Sequence, residues 1–389
     1  MRKIVVVMDS FKGSLTSEEA GQAVCDGLRE ALPQCAAEYL PVADGGEGAL
    51  SVWLRLSEGR YCPVEVSGPC GGRVSAGYGV AEADGGTAFV ELASAAGLTL
   101  VPSEKRNPLL TTTYGVGELI REALRAGCRR IVLGIGGSAT NDAGTGLLEA
   151  LGYRFLDSEG HALPGIGRSL PQIASIDASD VFPELRGVRF QIICDVRNPF
   201  CGADGAACVF APQKGADASM VRELDEGLQS FARVLLQATG IDVRPMPGAG
   251  AAGGVGGTLA ALLHAELLPG IDFMLGASHF DDRIREAGLV VTGEGHADRQ
   301  SVMGKVVSGV VRHAQVQDKP VVLLCGGYDD ARELNGAGVT ALFSLTSAPV
   351  SLSVAMERDY AAAHLRQVAV QIGRLLAVCG DGRHTVAGG

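Results

Sequence analysis

Four segments of the chain set acidic, hydroxyl and basic side chains beside glycines, a mixture suited to holding and transferring an anionic group. The first is Asp9-Ser10-Phe11-Lys12-Gly13-Ser14. It offers a carboxylate, two hydroxyls and an ammonium. Asp9 and Lys12 are candidate catalytic groups, and Ser10 and Ser14 are candidate ligands of a substrate or nucleotide. The second is Asp44-Gly45-Gly46-Glu47-Gly48. A single carboxylate at a helix start is often only a partner for the helix dipole. Two of them beside three glycines point to a magnesium, nucleotide or substrate-hydroxyl site. Asp44 and Glu47 are candidate metal ligands, with Gly45 and Gly46 as backbone donors.

The third segment runs Gly134-Ile135-Gly136-Gly137-Ser138-Ala139-Thr140-Asn141-Asp142-Ala143-Gly144. A strand, a glycine loop and a helix starting near Asn141 would suit phosphate, because free N–H groups and the helix dipole both favour an anion. Gly136, Gly137, Ser138, Asn141 and Asp142 are the candidate binding positions. The partial likeness to a dinucleotide fingerprint is weak by itself. Gly248-Ala249-Gly250-Ala251-Ala252-Gly253 fits that spacing too, but it follows Pro245 and Pro247 rather than a strand. Helix packing or a contact to substrate through the backbone suits it better.

The fourth segment is Thr292-Gly293-Glu294-Gly295-His296-Ala297-Asp298-Arg299-Gln300-Ser301, continuing to Gly304-Lys305. Glu294 and Asp298 are oxygen ligands of the kind Mg²⁺ takes, directly or through water. Gly293, Gly295 and Gln300 are candidate binding positions, and Lys305 could neutralise phosphate oxygens. Val306 follows Lys305 and the upstream glycine is missing, so there is no Walker A motif. Asp195 and Asn198, in Asp195-Val196-Arg197-Asn198-Pro199, follow another apolar run. Asp195 is a candidate base for a substrate hydroxyl. An Asx-turn or cap explains it equally well from this segment.

The elements that must position these groups alternate strand and helix. Ile4–Met8 is apolar throughout, as in a strand buried on both faces. Thr16 and Glu19 form a capping box for a helix with Ala20, Ala23, Val24, Leu28, Ala31 and Leu32 on one face. A strand near Glu38–Val42 and a helix over Ala49–Leu56 follow. Cys62–Ser67, Val74–Ala81 and Ala88–Leu92 are close enough to form an antiparallel meander. Tyr114–Ala126 and Met220–Thr239 are helical, and Thr258–Glu266 continues a helix from Gly248–Gly257. Arg130–Leu133 and Arg189–Cys194 are strands. Alternation resumes at Leu289–Thr292, Pro320–Cys325, Val339–Leu345 and the helix Tyr360–Val378. The pattern predicts an open parallel α/β domain of residues 1–64 and 286–389, interrupted by an α+β domain of residues 65–285.

The 389 residues suit two cores, and 47% hydrophobic with 20% charged residues suits a globular chain. A net charge of -11 argues against nucleic acid as the principal ligand. The ten cysteines form no CxxC pair, which predicts buried thiols in a reducing compartment. No apolar run approaches a membrane span. These features predict a cytoplasmic protein. His161, His264, His279 and His313 read as surface or satisfied core residues.

In order along the chain, DSFKGSLTS, PVADGGEG, LGIGGSATNDAG, CDVRNPFCG with FAPQKGA, GAGAAGGVGG and VTGEGHADRQSVMGK resemble the bacterial glycerate kinase family. The phrases run from residue 9 to residue 305, so the resemblance spans essentially the whole chain. It implies a flavodoxin-like domain interrupted by one that looks like a restriction-endonuclease core. It also implies transfer of the γ-phosphoryl of ATP to D-glycerate with Mg²⁺, with the 2-hydroxyl as acceptor and 2-phosphoglycerate as product. The expected site is a cleft between the domains, in a monomer or homodimer. Gly136, Gly137 and Ser138 would cradle phosphates, Lys12 and Lys305 would neutralise them, and Asp195 would be the base, with Asp9 next. The family more often has an arginine after GEG; here the position is His296, an imidazole that clamps an anion only when protonated. A phosphohydrolase on a small phosphorylated hydroxy acid and a non-catalytic sugar-acid sensor are the alternative classes.

Overall fold

The structure is a computed structural model that describes residues 3–43, 48–81, 86–302 and 306–380. Its strands in chain order are β1 (Lys3–Met8), β2 (Ala36–Tyr39), β3 (Arg60–Ser67), β4 (Arg73–Ala81), β5 (Thr87–Glu91), β6 (Arg130–Gly134), β7 (Arg154–Leu156), β8 (Ala162–Leu163), β9 (Ser175–Asp177), β10 (Arg189–Ile193), β11 (Glu266–Leu268), β12 (Leu289–Ala297), β13 (Val321–Tyr328) and β14 (Ala341–Ser344). Contacts divide the chain into two compact units, residues 1–44 with 271–389 and residues 45–270.

The first unit is built on a five-stranded parallel sheet of order β14-β13-β12-β1-β2. Side chains alternate across a strand, so β1 must supply apolar groups to both faces. Ile4, Val6 and Met8 pack with Val24, Leu28, Leu365 and Ile372 of helices Ser17–Ala31 and Arg358–Gly380. Val5 and Val7 face the other way, against Phe280, Ile284, Val307, Val310 and Leu334. Each fully buried aliphatic side chain contributes about 1.5–3 kcal/mol. Polar substitution at any residue from Ile4 to Met8 therefore opens one core or the other. The capping box at Thr16 and Glu19 is present with both reciprocal bonds.

The second unit holds a six-stranded mixed sheet of order β11-β10-β6-β5-β4-β3 and a small antiparallel sheet of order β8-β7-β9. The meander forms as β3-β4-β5, and β5 then pairs in parallel with β6. Ile131, Leu133 and Ile192 of the sheet share one core with Leu119 and Ile120 of helix Tyr114–Arg125, Phe231 of helix Ala218–Thr239 and Leu259 of helix Ala251–Leu263.

The two units divide at other points than the expected 64/65 and 285/286. Residues 60–67 pair along their length with β4, which draws that segment into the second unit. Ile271 sits against Gly309 of helix Val306–Val316, and His313 bonds Asp281 at 2.9 Å, which draws residues 271–285 into the first. Hydrophobic runs reveal strands but not their partners. Strands β12 and β13 also run on past Thr292 and Cys325, where the expected strands end, through residues 293–296 and 326–327.

The helix pair of the first unit meets at Gly27, where an added Cβ would stand 2.3 Å from the Arg366 carbonyl oxygen. Gly27→Val is expected to force the helices apart and cost about 1–3 kcal/mol. Urea denaturation measures this, and an unchanged midpoint would reject the close approach.

Candidate active site

Parallel pairing sets Met8 opposite Gly293, and the Asp9 N–H donates to the Gly293 carbonyl at 2.8 Å. The end of β1 is thus tied to the middle of β12. Beyond Asp9 the chain reverses tightly. The Phe11 N–H bonds the Leu15 oxygen at 2.8 Å and the Ser14 N–H bonds the Phe11 oxygen at 2.7 Å, with Gly13 at φ +77. Phe11 and Leu15 are buried and anchor the turn. Lys12, without such an anchor, stays exposed. The Asp9 carboxylate accepts the Ser10 N–H at 2.6 Å, which orients it at the strand end.

A cavity of about 410 Å³ opens at this point. Asp9, Ser10, Lys12 and Ser14 line it with Glu294, Gly295 and His296 of the adjoining strand. Leu345, Leu352, Met356 and Tyr360 form an apolar side. In open α/β sheets ligands bind beyond the carboxyl ends of strands where the strand order reverses. Here the order reverses between β1 and β12. Glu294 is buried, and its charge adds to burial in pushing the Cys325 thiol up to about 12. His296 Nε2 lies 2.8 Å from Asp329 Oδ1 at the exposed rim.

Gly293 does not line this cavity. Its Cα packs so closely that a Cβ would meet the Leu324 oxygen at 2.4 Å. Asp298 is likewise outside it, and its carboxylate accepts the Ser301 N–H at 3.2 Å. Gln300 lies in the short 3-10 helix Arg299–Val302. Asp44, Gly45, Gly46, Glu47 and Lys305 lie outside the described residues.

In the second unit the Gly134–Gly144 loop is braced from several sides. Gly136 and Gly137 are exposed, and the Gly137 oxygen accepts the Leu98 N–H at 2.9 Å. The helix expected near Asn141 begins instead at Thr145. Its early N–H groups do not await an anion, because Asp142 takes those of Thr145 and Gly146 and the Thr113 hydroxyl takes that of Leu147. The buried Asp142 carboxylate accepts from Gly144 N–H at 3.1 Å and Gly146 N–H at 3.3 Å, and from both the N–H and hydroxyl of Thr113 at 2.8 Å. Burial still outweighs these bonds and raises its pKa. This carboxylate holds the loop from inside rather than facing a ligand.

Ser138 accepts from Lys214 Nζ at 2.8 Å, and the Thr140 carbonyl accepts from the same ammonium at 2.6 Å. Asn141 is fully buried, and neither amide atom bonds a protein group among the described residues. The glycine stretch after Pro247 packs on this loop: Gly253 (φ +71) would place a Cβ 2.4 Å from the Thr140 oxygen. Its role is close backbone packing. Asp195 is exposed after β10 and accepts the Gly270 N–H at 2.9 Å, so the capping reading of this residue is present in the structure. The Asn198 amide donates to the Asp204 oxygen at 2.9 Å.

The glycerate kinase family model matches residues 4–377. The chain is 43% identical over 359 residues to the glycerate 2-kinase of Escherichia coli (strain K12), covering 92% of this chain and 94% of that protein. It is 44% identical over 373 residues to the glycerate kinase of Bacillus subtilis (strain 168), covering 95% and 97%. A crystal structure described under the name glycerate kinase 2, from Salmonella typhimurium LT2, superposes with a TM-score of 0.84 at 40% identity, over 98% of this chain and 99% of that one. The chain belongs to the glycerate kinase family.

Two parts of this glycerate kinase family member escaped the sequence reading. Lys214 carried a signal, since it lies in the phrase FAPQKGA among small and apolar residues. A lysine is almost never fully buried unless paired. The apolar side of the cavity carried none, because Leu345, Leu352, Met356 and Tyr360 look like ordinary core positions. Among the described residues no helix is long and apolar enough to cross a membrane.

Burial lowers the Lys214 pKa from 10.5 to about 7, and the charge of Asp142 only partly offsets this. Between these values the unfolded chain holds a proton that the folded chain has released. Stability must then rise with pH across that window. Lys214→Met removes this slope. Urea denaturation of both chains between about pH 7 and pH 10 should show the original chain gaining on the variant as pH rises. A pH-independent difference would reject the lowered pKa.

Proposed function

We propose that the protein is an ATP-dependent glycerate kinase that transfers the γ-phosphoryl of ATP to the 2-hydroxyl of D-glycerate, giving 2-phosphoglycerate. The family match supports the reaction class. The observation that carries the chemistry is one cavity that gathers Asp9, Ser10, Lys12, Ser14 and Glu294 where the parallel strand order reverses. We read the first unit as flavodoxin-like, since its strands follow that fold's 2-1-3-4-5 order. The mixed sheet of the second unit is compatible with the restriction-endonuclease-like core implied by the resemblance. ATP as donor makes the cytoplasm the expected location.

Phosphoryl transfer needs alignment and charge neutralisation more than covalent chemistry. The bond from the γ-phosphorus to the ADP oxygen breaks, and a bond to the glycerate oxygen forms. The hydroxyl proton passes to a carboxylate. Asp195 is the proposed base because it is exposed and hydrogen-bonded to a backbone N–H, which orients it. Lys12 offsets charge on the phosphate oxygens, and Ser10 and Ser14 orient them. Gly136 and Gly137 offer backbone to an anion, and Lys214 keeps their loop in shape through Ser138.

The cavity fits Mg²⁺ in its donor chemistry. Asp9 and Glu294 bring two carboxylates to one cavity, and Mg²⁺ commonly takes one or two carboxylates with waters and phosphate. When bound, it would be held by these residues and would offset phosphate charge.

A coupled assay of ADP release with D-glycerate, with product position read by NMR, tests the reaction. Release that depends on D-glycerate and a 2-phosphoglycerate product are expected, and no release with D-glycerate or related hydroxy acids would sink the kinase assignment. Asp195→Asn should lower kcat by about 10²–10⁴-fold while sparing ATP affinity. Near-normal turnover removes Asp195 from the base role.

A further inference from the structure

We infer that the cavity of the first unit is the adenine-nucleotide site, with the purine against the Leu345, Leu352, Met356 and Tyr360 side and the phosphates against the Ser10–Ser14 turn. The inference rests on the reading that ATP is a substrate, and assigns it a place.

Size excludes the acceptor as the main occupant. D-Glycerate is a carboxylate and two hydroxyls on three carbons. A cavity of about 410 Å³ is in the range of sites for ligands of drug size, roughly 300–1,000 Å³. Chemistry excludes it too. Glycerate has no apolar face, yet one side of the cavity is apolar. Leu352 is 74% exposed and Met356 is 38% exposed, so large apolar side chains stand uncovered at the site. A flat heteroaromatic ring would cover them, and methionine is well suited to such a contact. Tyr360 is already held in place by stacking on His364, with centroids 3.8 Å apart. Its ring therefore loses little freedom when a base packs beside it.

The turn beside that side has the complementary chemistry. Lys12 supplies a cation, and Ser10 and Ser14 supply hydroxyls. The Ser14 hydroxyl is buried and has no hydrogen-bond partner among the described residues. A hydroxyl left without a partner suits a phosphate oxygen. Gly13 lets the turn lie against the apolar side: a Cβ there would touch Met356 Cε at 3.0 Å. The cationic turn and the apolar side thus adjoin each other. A molecule with an apolar ring at one end and phosphates at the other matches this polarity.

Two substitutions on the apolar side test the assignment. Ala355→Trp fills the space for the base, and Leu352→Ser removes part of its cover. Neither residue is fully buried, and thermal melts confirm that both variants fold. ADP, AMP and tripolyphosphate are titrated by calorimetry with and without Mg²⁺, and the KM for D-glycerate is measured separately. Ala355→Trp should weaken ADP and AMP about tenfold or more, and Leu352→Ser should weaken them less. Tripolyphosphate affinity and the KM for glycerate should stay within about twofold. ADP binding unaffected by Ala355→Trp overturns the inference alone, as does a rise confined to the glycerate KM. No binding of ADP by the unaltered chain overturns the kinase reading and this inference with it.

Discussion

The parallel pairing of β1 with β12 is the constraint on which the first unit rests. These strands come from opposite ends of the chain, so their contact closes a loop that contains the whole second unit. Loop-closure entropy grows only slowly with length, which lets so long an excursion be tolerated. The return is stabilised by burial, since β1 and β12 each feed apolar side chains to two cores. Register then does the chemical work. With Met8 opposite Gly293, Asp9 just past the end of β1 comes beside Glu294 within β12.

The second unit solves a different problem. A glycine-rich loop has high conformational entropy, and holding its backbone in one shape requires bonds from its surroundings. Asp142 supplies four from within, and Lys214 adds two from a neighbouring segment. Both ionisable groups are buried, and burial pushes each pKa toward the neutral form. The loop is thus held by groups whose desolvation is only partly offset, by hydrogen bonds at Asp142 and by the Asp142 charge at Lys214. Glycines at Gly253 and Gly254 let another backbone approach the loop where a side chain would collide.

The relation of sequence to site differs between the two units. In the first, the sequence marks Asp9, Ser10, Lys12, Ser14, Glu294 and Gly295, and these line one cavity. They are legible because polar residues beside glycines break an apolar pattern. In the second, the same signal marked Asp142, which serves the loop itself. Composition cannot tell a carboxylate that faces a ligand from one that caps a turn, since both occur among Gly, Ser, Thr and Asn. Lys214 lies far along the chain from the loop it holds, and no local pattern links the two.

The sequence by itself determined the alternation of strands and helices, the two-faced burial of β1, the capping box at Thr16 and the six ordered phrases that mark the family. These are local properties, set by side-chain polarity, periodicity and backbone preference over a few residues. Tertiary structure alone decided which strands pair, that residues 60–67 join β4, that Asp142 turns inward, and that Leu352 and Met356 flank the cationic turn after β1. Those outcomes depend on contacts between segments distant in sequence. Their energies are set by burial and by hydrogen-bond partners that no local window contains.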